Sequence, residues 1–497
     1  MSLLKKLAGE TAIYGLSSIL SRVLNFVILT PYFTRVFLQN EYGAVSDLYS
    51  WVALLMVLFT YRMETAFFRY GSEENNLEKS FSTASISLLA STIVFVLLLV
   101  LFAQPLAGWL RYPEHPEYVI LFAFIIGFDT LAAIPFARLR LENRPVRFAI
   151  IKILQIVVNI IFIFFFLELC PLLIERGWTS LEAIYFPENR IVYVFAANLI
   201  ASAVVIILLL PAYFRIKLRF DPELWRKMII YGMPLIIAGI AGIINQLIGV
   251  PLIKELLSDD IAYNLSQAGV YAAAAKLAVL MNLFTQAFNY AAEPFFFKSA
   301  HRSDSDHIYA QVGQAFSLVG SLAFLGIMLY LEVIQFYLGK EFREGLGVVP
   351  ILLIAYLFLG LYYNFSIWYK LADRTIIGGY IALGGATITI TMNVLLIPNP
   401  SVGYYAPAWA ALTCYLFMAL ASYFTGQRYY PIHYPIKKMF LYILSAIGVY
   451  LISEYLRPMV NHHTVLLLSV NTALLLVYIF FIYQLEKSFI LNTFKGK

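Results

Sequence analysis

The stretch WVALLMVLFTYRMETAFFRY, residues 51–70, is followed at once by GSEENN. An apolar run of this length is typical of a membrane-spanning helix, yet it places Arg62 and Glu64 two residues apart before it ends. Two interpretations are open. The charges belong to a helix end that faces water, or they form part of a polar site inside a membrane bundle.

The composition of the whole chain assigns it to the membrane proteins. Of its 497 residues 61% are hydrophobic and 13% are charged, whereas a soluble protein carries about a quarter charged residues. Apolar segments of about 20 residues predict an all-α integral membrane protein with about fourteen transmembrane helices. The predicted spans are 11–34, 44–70, 81–105, 118–140, 147–170, 189–214, 226–256, 268–297, 311–338, 347–370, 376–398, 404–427, 438–456 and 464–486.

The distribution of Lys and Arg predicts the orientation. With the N-terminus in the cytoplasm, 23 Lys and Arg fall in cytoplasmic segments and eight on the opposite side. Cytoplasmic loops carry the excess of positive charge in membrane proteins. Both termini are therefore expected to be cytoplasmic.

Ionisable residues inside the predicted spans are the candidate functional groups, because such residues normally face a cavity or a partner. The four cations placed there are Arg22, Arg62, Lys152 and Lys276. The corresponding carboxylates, candidates for coupling or gating, are Asp47, Glu64, Asp129 and Glu293. A cavity lined by these cations attracts anions, and phosphate groups are the obvious ligands.

Polar residues extend the candidate cavity along two spans. Ser18, Arg22 and Asn25 share one helix face of the first span. On the eighth span Asn282, Gln286 and Asn289 form a stripe that continues to Glu293. Such amides also act as interhelical hydrogen-bonding groups.

Alternatives stay open for several of these charges. Arg22 is either a cavity residue or the structural partner of a carboxylate such as Asp129, and Lys152 either lines the cavity or extends to the membrane surface. In a continuous helix Arg62 and Glu64 lie about 200° apart, which predicts that they do not form one site. Asp47 would share a face with Glu64, and Arg62 would either line the inner mouth of the cavity or extend its side chain to it.

An internal repeat predicts the organisation of the chain. Tyr14-Gly15 matches Tyr231-Gly232, and Glu64 of the second span matches Glu293 of the eighth, at offsets of 217 and 229 residues. The offset spans six helices, an even number, so the repeats are parallel. This predicts two six-helix lobes around a central cavity, at 1–214 and 226–427, followed by a C-terminal helix pair within 438–497.

Features of other protein classes are missing from the sequence. The connections between spans are short, and neither a GxxxxGK[ST] phosphate loop nor a metal-ligand cluster appears. We therefore expect a secondary-type transporter, not an enzyme, that needs no cofactor apart from possible H⁺ or Na⁺ coupling.

Four segments resemble the multidrug/oligosaccharidyl-lipid/polysaccharide exporter superfamily: RMETAFFR at 62–69, PFARLR at 135–140, GVYAAAAK at 269–276 and AEPFFF at 292–297. The polysaccharide-biosynthesis branch, with its O-antigen-type flippases, is the most similar. This resemblance implies alternating access and movement of an undecaprenyl-diphosphate-linked oligosaccharide from the cytoplasmic to the outer leaflet of a bacterial inner membrane. It also implies membrane lipid and other polysaccharide-assembly proteins as partners, and no nucleic acid. We expect a monomer.

Three other functions are weighed against this one. A lipid II flippase would carry the same diphosphate chemistry. A drug or organic-cation antiporter requires carboxylates without competing cations, which Arg22 and Lys276 argue against. A membrane glycan polymerase or ligase requires a catalytic outward loop, and the outward loops here are short.

Overall fold

The structure, a computed structural model, describes residues 23–73, 76–183, 185–214, 219–299, 305–372, 374–460 and 464–494. Thirteen helices in this part of the chain are long and apolar enough to cross a membrane. The first half of the first predicted span, residues 11–22, lies outside the described residues. The expected all-α membrane fold of about fourteen helices is confirmed.

The helices begin where the sequence provides helix-start signals. Proline is the first residue of the helices at Pro116, Pro145 and Pro222, a position where its missing N–H costs no hydrogen bond. Asp221 caps the last of these by accepting the Leu224 N–H at 2.8 Å. This hydrogen bond and the Lys79 ammonium lower the pKa of the Asp221 carboxyl.

We number the helices in chain order. The helices before residue 260 are α1 (Thr30–Val36), α2 (Gln39–Thr60), α3 (Met63–Gly71), α4 (Leu77–Leu101), α5 (Ala103–Trp109), α6 (Pro116–Leu141), α7 (Pro145–Phe164), α8 (Cys170–Glu175), α9 (Arg190–Phe214), α10 (Pro222–Leu247) and α11 (Gly249–Leu256). The helices after it are α12 (Ile261–Ser299), α13 (Ser305–Leu329), α14 (Leu331–Ile334), α15 (Val349–Phe365), α16 (Ile367–Leu371), α17 (Thr375–Leu396), α18 (Ala406–Tyr429), α19 (Ile436–Leu456) and α20 (Thr464–Phe494).

The chain forms two compact units. The first holds residues 23–33, Asn40–Pro251 and Asp260–Leu265, and the second holds Thr34–Gln39, Leu252–Asp259 and the described residues from Ser266 onward. Helix α10 therefore packs in the first unit, against α3 and α4. The lobes at 1–214 and 226–427, which rest on the sequence repeat, stay a prediction.

A hydrophobic cluster in the first unit holds α3, α4, α6 and α10 together. Its buried members include Phe67, Phe81, Ile134 and Met228. Burying an aromatic or aliphatic side chain of this size contributes about 1.5–3 kcal/mol. These contacts fix the position of the short helix α3, which follows the polar stretch of the second predicted span.

Candidate functional site

The second predicted span is broken at Tyr61 and Arg62. Helix α2 ends at Thr60 and α3 begins at Met63, and between them Tyr61 has φ 31° and Arg62 has φ 57°. A left-handed backbone costs about 1–2 kcal/mol for a residue with a Cβ atom. The Arg62 carbonyl accepts the Thr65 N–H at 3.0 Å, which starts the new helix directly after the break.

The break brings Arg62 and Glu64 into one site. Arg62 Nη1 lies 3.8 Å from Glu64 Oε1. The prediction that these side chains point away from each other was wrong, because it assumed a continuous helix. With Arg62 in the left-handed conformation the helical angle between the two residues no longer applies.

Both members of this ion pair have unused hydrogen-bonding capacity. Arg62 Nε and Glu64 Oε2 are buried and have no hydrogen-bond partner within the described part of the chain. Their side chains are 35% and 22% exposed. Buried polar atoms are nearly always hydrogen-bonded in proteins. These two atoms are therefore an exception among the described residues.

Helix α10 makes space for the Arg62 guanidinium at Gly239. A Cβ atom at position 239 would lie 2.4 Å from Arg62 Nη2 and 2.8 Å from Nε. One face of the same helix carries Gly232, where a Cβ atom would lie 3.1 Å from the Tyr61 carbonyl oxygen. The broken segment therefore lies directly on the backbone of α10. Gly239 was not among the predicted site residues, although its seven-residue spacing from Gly232 is a signal for close approach.

A second cation, Arg140, acts on Glu64 from the end of α6. Two cations act electrostatically on Glu64, and the effect of Arg62 is larger than that of Arg140. The Arg140 guanidinium lies over the Phe68 ring at 4.6 Å, which holds it beside α3. Arg140 lies at the boundary of the predicted span 118–140. It was therefore counted with the Lys and Arg residues of the cytoplasmic segments and not with the cations inside the spans.

Lys152 and Asp129 belong to a neighbouring polar network. Lys152 Nζ donates to Gln155 Oε1 at 3.3 Å, and Gln155 Nε2 donates to Asp129 Oδ1 at 3.5 Å. Ser202 Oγ donates to the same Asp129 oxygen at 2.8 Å. Lys152 also interacts electrostatically with Arg140. Arg140 thus acts electrostatically on two candidate residues of the first unit. It attracts the Glu64 carboxylate and repels the Lys152 ammonium.

We expect the Lys152→Met variant to be less stable than the wild type, because Asp129 loses its cation and a stranded charged group costs about 1–3 kcal/mol. Thermal unfolding of the purified protein measures the loss. Adding Asp129→Asn to this variant removes the stranded charge and is expected to recover most of the stability. Additive effects of the two substitutions would contradict the pairing.

The structure describes two of the remaining candidate residues of the first unit, Asp47 and Asn25. Asp47 is fully buried and its Oδ2 accepts the Tyr112 hydroxyl at 2.9 Å. Asn25 is exposed. Ser18 and Arg22 lie outside the described residues, so their predicted roles stay predictions.

The second unit holds the other candidates. Lys276 is exposed on α12, and no ion pair or hydrogen bond joins it to a described residue. Gln286 Nε2 donates to Asn282 Oδ1 at 3.1 Å on the same helix, and Asn289 is half-buried. The side chain of Glu293 lies outside the described part.

An apolar pocket of about 600 Å³ adjoins the break in the first unit. Tyr61, Ser87 and Trp225 are among its lining residues, together with Ile229 and Met233. Ser87 Oγ contacts the Tyr61 hydroxyl at 2.6 Å and accepts the Trp225 indole N–H at 2.8 Å. The pocket therefore adjoins the broken segment through Tyr61, the residue directly before Arg62 in the chain.

Three comparisons place these features among known proteins. Residues 7–300 match the model of a family described as polysaccharide biosynthesis protein. No curated protein matches the chain. Two similar solved structures are a lipid II flippase MurJ in an inward closed conformation and the Vibrio cholerae MATE transporter VcmN in a bent form.

These two structures share the fold at low sequence identity. The flippase is 14% identical, with a TM-score of 0.73 over 95% of this chain and 98% of that chain. The Vibrio cholerae transporter is also 14% identical, with a TM-score of 0.56 over 89% of this chain and 98% of that chain. An outward-facing multidrug resistance MATE transporter of the MOP superfamily is 12% identical, with a TM-score of 0.56 over 84% and 94% of the two chains.

Proposed function

Because the chain belongs to the polysaccharide biosynthesis protein family and has the fold of the multidrug/oligosaccharidyl-lipid/polysaccharide exporter superfamily, we propose that it is a flippase for a lipid-linked oligosaccharide. The cargo is an oligosaccharide joined to a polyprenyl chain, undecaprenyl in bacteria, by a diphosphate. It moves from the cytoplasmic to the outer leaflet of a bacterial inner membrane by alternating access, with both termini of the protein in the cytoplasm.

The observation that carries this proposal is the excess of cations in the first unit. Among the described residues, Arg62 and Arg140 act electrostatically on Glu64, and Lys152 acts on Asp129. Isolated cations are costly inside a membrane, and a diphosphate group supplies the missing negative charge through charge-assisted hydrogen bonds. That Lys276 of the second unit also binds the cargo stays a prediction from the sequence.

The apolar pocket beside Tyr61 supports an amphiphilic cargo. Its lining residues Ile229 and Met233 suit a hydrocarbon chain, whereas Arg62 follows Tyr61 directly in the chain. A ligand with a diphosphate next to an isoprenoid chain matches both environments. The driving force is a proton or sodium gradient, or the membrane potential acting on the charged cargo.

Transport in proteoliposomes tests the proposal. We expect the purified protein to move a diphosphate-linked oligosaccharide lipid across the bilayer, and to leave a neutral glycolipid of equal sugar length in place. The cationic dye ethidium serves as the second comparison. Movement of ethidium without movement of the diphosphate lipid would instead identify a drug antiporter.

Lipid II is the second candidate cargo, since the fold is shared with a lipid II flippase. Lipid II and an oligosaccharide precursor carry the same polyprenyl diphosphate, and they differ in the sugar and peptide beyond it. Parallel assays with the two lipids separate the candidates. We expect faster transport of the oligosaccharide lipid, because residues 7–300 match the family described as polysaccharide biosynthesis protein.

A further inference from the structure

A second pocket of the first unit, of about 590 Å³, adjoins the start of α7. Helix α7 packs against α9, and Leu208 of α9 lines the pocket together with Ile150 and Leu154 of α7. Ile150 is 58% exposed and Leu208 is 36% exposed. We expect such apolar side chains of membrane-spanning helices to contact the hydrocarbon of the bilayer. The volume lies within the range of about 300–1,000 Å³ that is typical of ligand sites.

Two arginines, Arg144 and Arg147, are also among the residues that line this pocket. Arg144 Nε lies 3.1 Å from Glu142 Oε2. The Glu142 carboxylate also binds Arg138, which is paired with Glu78 as well. In this group two arginines therefore share two carboxylates. Arg147 is half-buried and forms no ion pair or hydrogen bond with a described residue, so it adds one positive charge that this group does not neutralise.

The charged and apolar residues of the pocket follow each other along α7 in the order of a membrane lipid. Arg147, Ile150 and Leu154 lie at i, i+3 and i+7, which places them on one helix face. Seven helical residues extend over about 10 Å. The predicted span 147–170 begins at Arg147, so the guanidinium lies at the membrane boundary and the apolar residues lie deeper. A phospholipid has its phosphate and its acyl chains in the same order.

This face of α7 is separate from the polar network of the candidate site. Lys152 and Gln155, which connect to Asp129, lie roughly 140° around the helix axis from the face of Ile150 and Leu154. The pocket beside α9 is therefore a different surface of the first unit from the one that carries the proposed cargo-binding cations.

We propose that this pocket binds one phospholipid of the bilayer with a net negative headgroup. Arg147 holds the phosphodiester, and an acyl chain lies along Ile150 and Leu208. A phosphodiester supplies the single negative charge that Arg147 lacks, and a guanidinium group binds phosphate through two parallel hydrogen bonds. Basic pockets on the cytoplasmic side of membrane proteins bind anionic headgroups. A zwitterionic headgroup fits less well, because Arg144, whose side chain is 50% exposed, repels its ammonium group.

The bound lipid belongs to the cytoplasmic leaflet if both termini are cytoplasmic, as proposed above. The site itself does not depend on the identity of the transported cargo. The lipid is a resident ligand that covers the start of α7, and we expect it to stay in place while the cargo moves.

Lipid binding to the purified full-length protein in detergent tests this site. The probes are phosphatidylglycerol and phosphatidylcholine with identical acyl chains, and native mass spectrometry measures the fraction of protein that carries each lipid. We expect the wild type to bind phosphatidylglycerol more tightly than phosphatidylcholine. The Arg147→Gln variant is expected to bind phosphatidylglycerol about fivefold more weakly, with unchanged binding of phosphatidylcholine. Arg147→Lys keeps the charge without the planar donors and is expected to be intermediate.

Two matched controls accompany these variants. Arg226→Gln removes an exposed cation at the start of α10 that does not line the pocket, and it is expected to keep the wild-type affinities. Ile150→Ser is expected to weaken the binding of both lipids. Ile161→Ser changes an equally exposed isoleucine of α7, 56% exposed and outside the pocket, and is expected to weaken neither.

Three results would overturn the proposal. The first is equal affinity of the wild type and Arg147→Gln for phosphatidylglycerol, and the second is equal affinity of the wild type for the two lipids. The third comes from a diphosphate diester with the same acyl chains. If it binds more tightly than phosphatidylglycerol and is weakened by Arg147→Gln, the pocket belongs to the cargo. Transport in proteoliposomes judges the proposed function separately, and we expect Arg147→Gln to transport at the wild-type rate.

Discussion

The Arg62→Ala variant is expected to transport a diphosphate-linked lipid about ten- to a hundredfold more slowly than the wild type. A hydrogen bond to a charged group contributes about 1.5–3 kcal/mol, and each 1.4 kcal/mol corresponds to about a tenfold change in affinity. The Arg62 side chain is 35% exposed, so part of its guanidinium can be reached by a ligand. Transport into proteoliposomes at equal protein content measures the loss.

Two further variants separate the loss of ligand contacts from other causes. Arg62→Lys keeps the charge but lacks the planar fork of donors, so we expect intermediate transport. Arg226→Ala removes an exposed cation at the start of α10 and is expected to transport normally.

The double variant Arg62→Ala with Glu64→Gln provides the decisive comparison. Removing Arg62 alone leaves Glu64 with one cation fewer, and this stranded charge is itself unfavourable. If the double variant recovers wild-type transport, Arg62 serves only to neutralise Glu64 and is not a ligand-binding residue. We expect it to stay impaired, because the double variant still lacks the Arg62 guanidinium as a hydrogen-bond donor to the diphosphate.

The Gly239→Ala variant is expected to lose transport and about 1–3 kcal/mol of stability. The added Cβ atom would lie 2.4 Å from Arg62 Nη2, and forcing an extra carbon into a filled space typically costs this much. The guanidinium must leave its position, or α10 must move away from the break. Thermal unfolding and transport of the same preparation measure both effects.

Gly242 offers a matched control on the same helix. A Cβ atom at position 242 would have no neighbouring atom within 4 Å, so Gly242→Ala changes the same helix without a clash. Alanine is favoured over glycine in a helix by about 1 kcal/mol, and this variant is expected to be as stable as the wild type or more stable.

A double-mutant cycle identifies the cause of the Gly239→Ala effect. If the clash with Arg62 is responsible, Gly239→Ala costs little in a protein that already carries Arg62→Ala. An unchanged cost in that background would show that the glycine serves a different purpose, such as the contact of α10 with the rest of α3. Stability is the readout, because transport is already impaired by the loss of Arg62.

Much of the architecture followed from the sequence alone. The apolar runs predicted the membrane helices because a bilayer requires about 20 apolar residues per span. The starts of two helices, at Pro116 and Pro145, also follow from local sequence, because proline is favoured at the first position of a helix. The resemblance carried by segments such as PFARLR at 135–140 predicted the exporter superfamily, which the family match and the shared fold confirm.

The candidate site was predicted only in part. Arg62 and Lys152 were singled out because charges inside apolar runs are rare. Arg140 was missed because it lies where α6 ends, and sequence does not show whether such a side chain turns toward water or toward Glu64. The pairing of Asp129 with Gln155 and Ser202 likewise depends on which helices are neighbours.

Sequence determined that Arg62 and Glu64 are two residues apart in a membrane span, and tertiary structure decided that they meet. A regular helix would separate them, and no glycine or proline at positions 60–64 signals a break. The break exists because Arg62 adopts a left-handed conformation while its guanidinium lies on the backbone of α10 at Gly239. The unfavourable backbone geometry is local, whereas the contacts that stabilise it come from residues more than a hundred positions away in the chain.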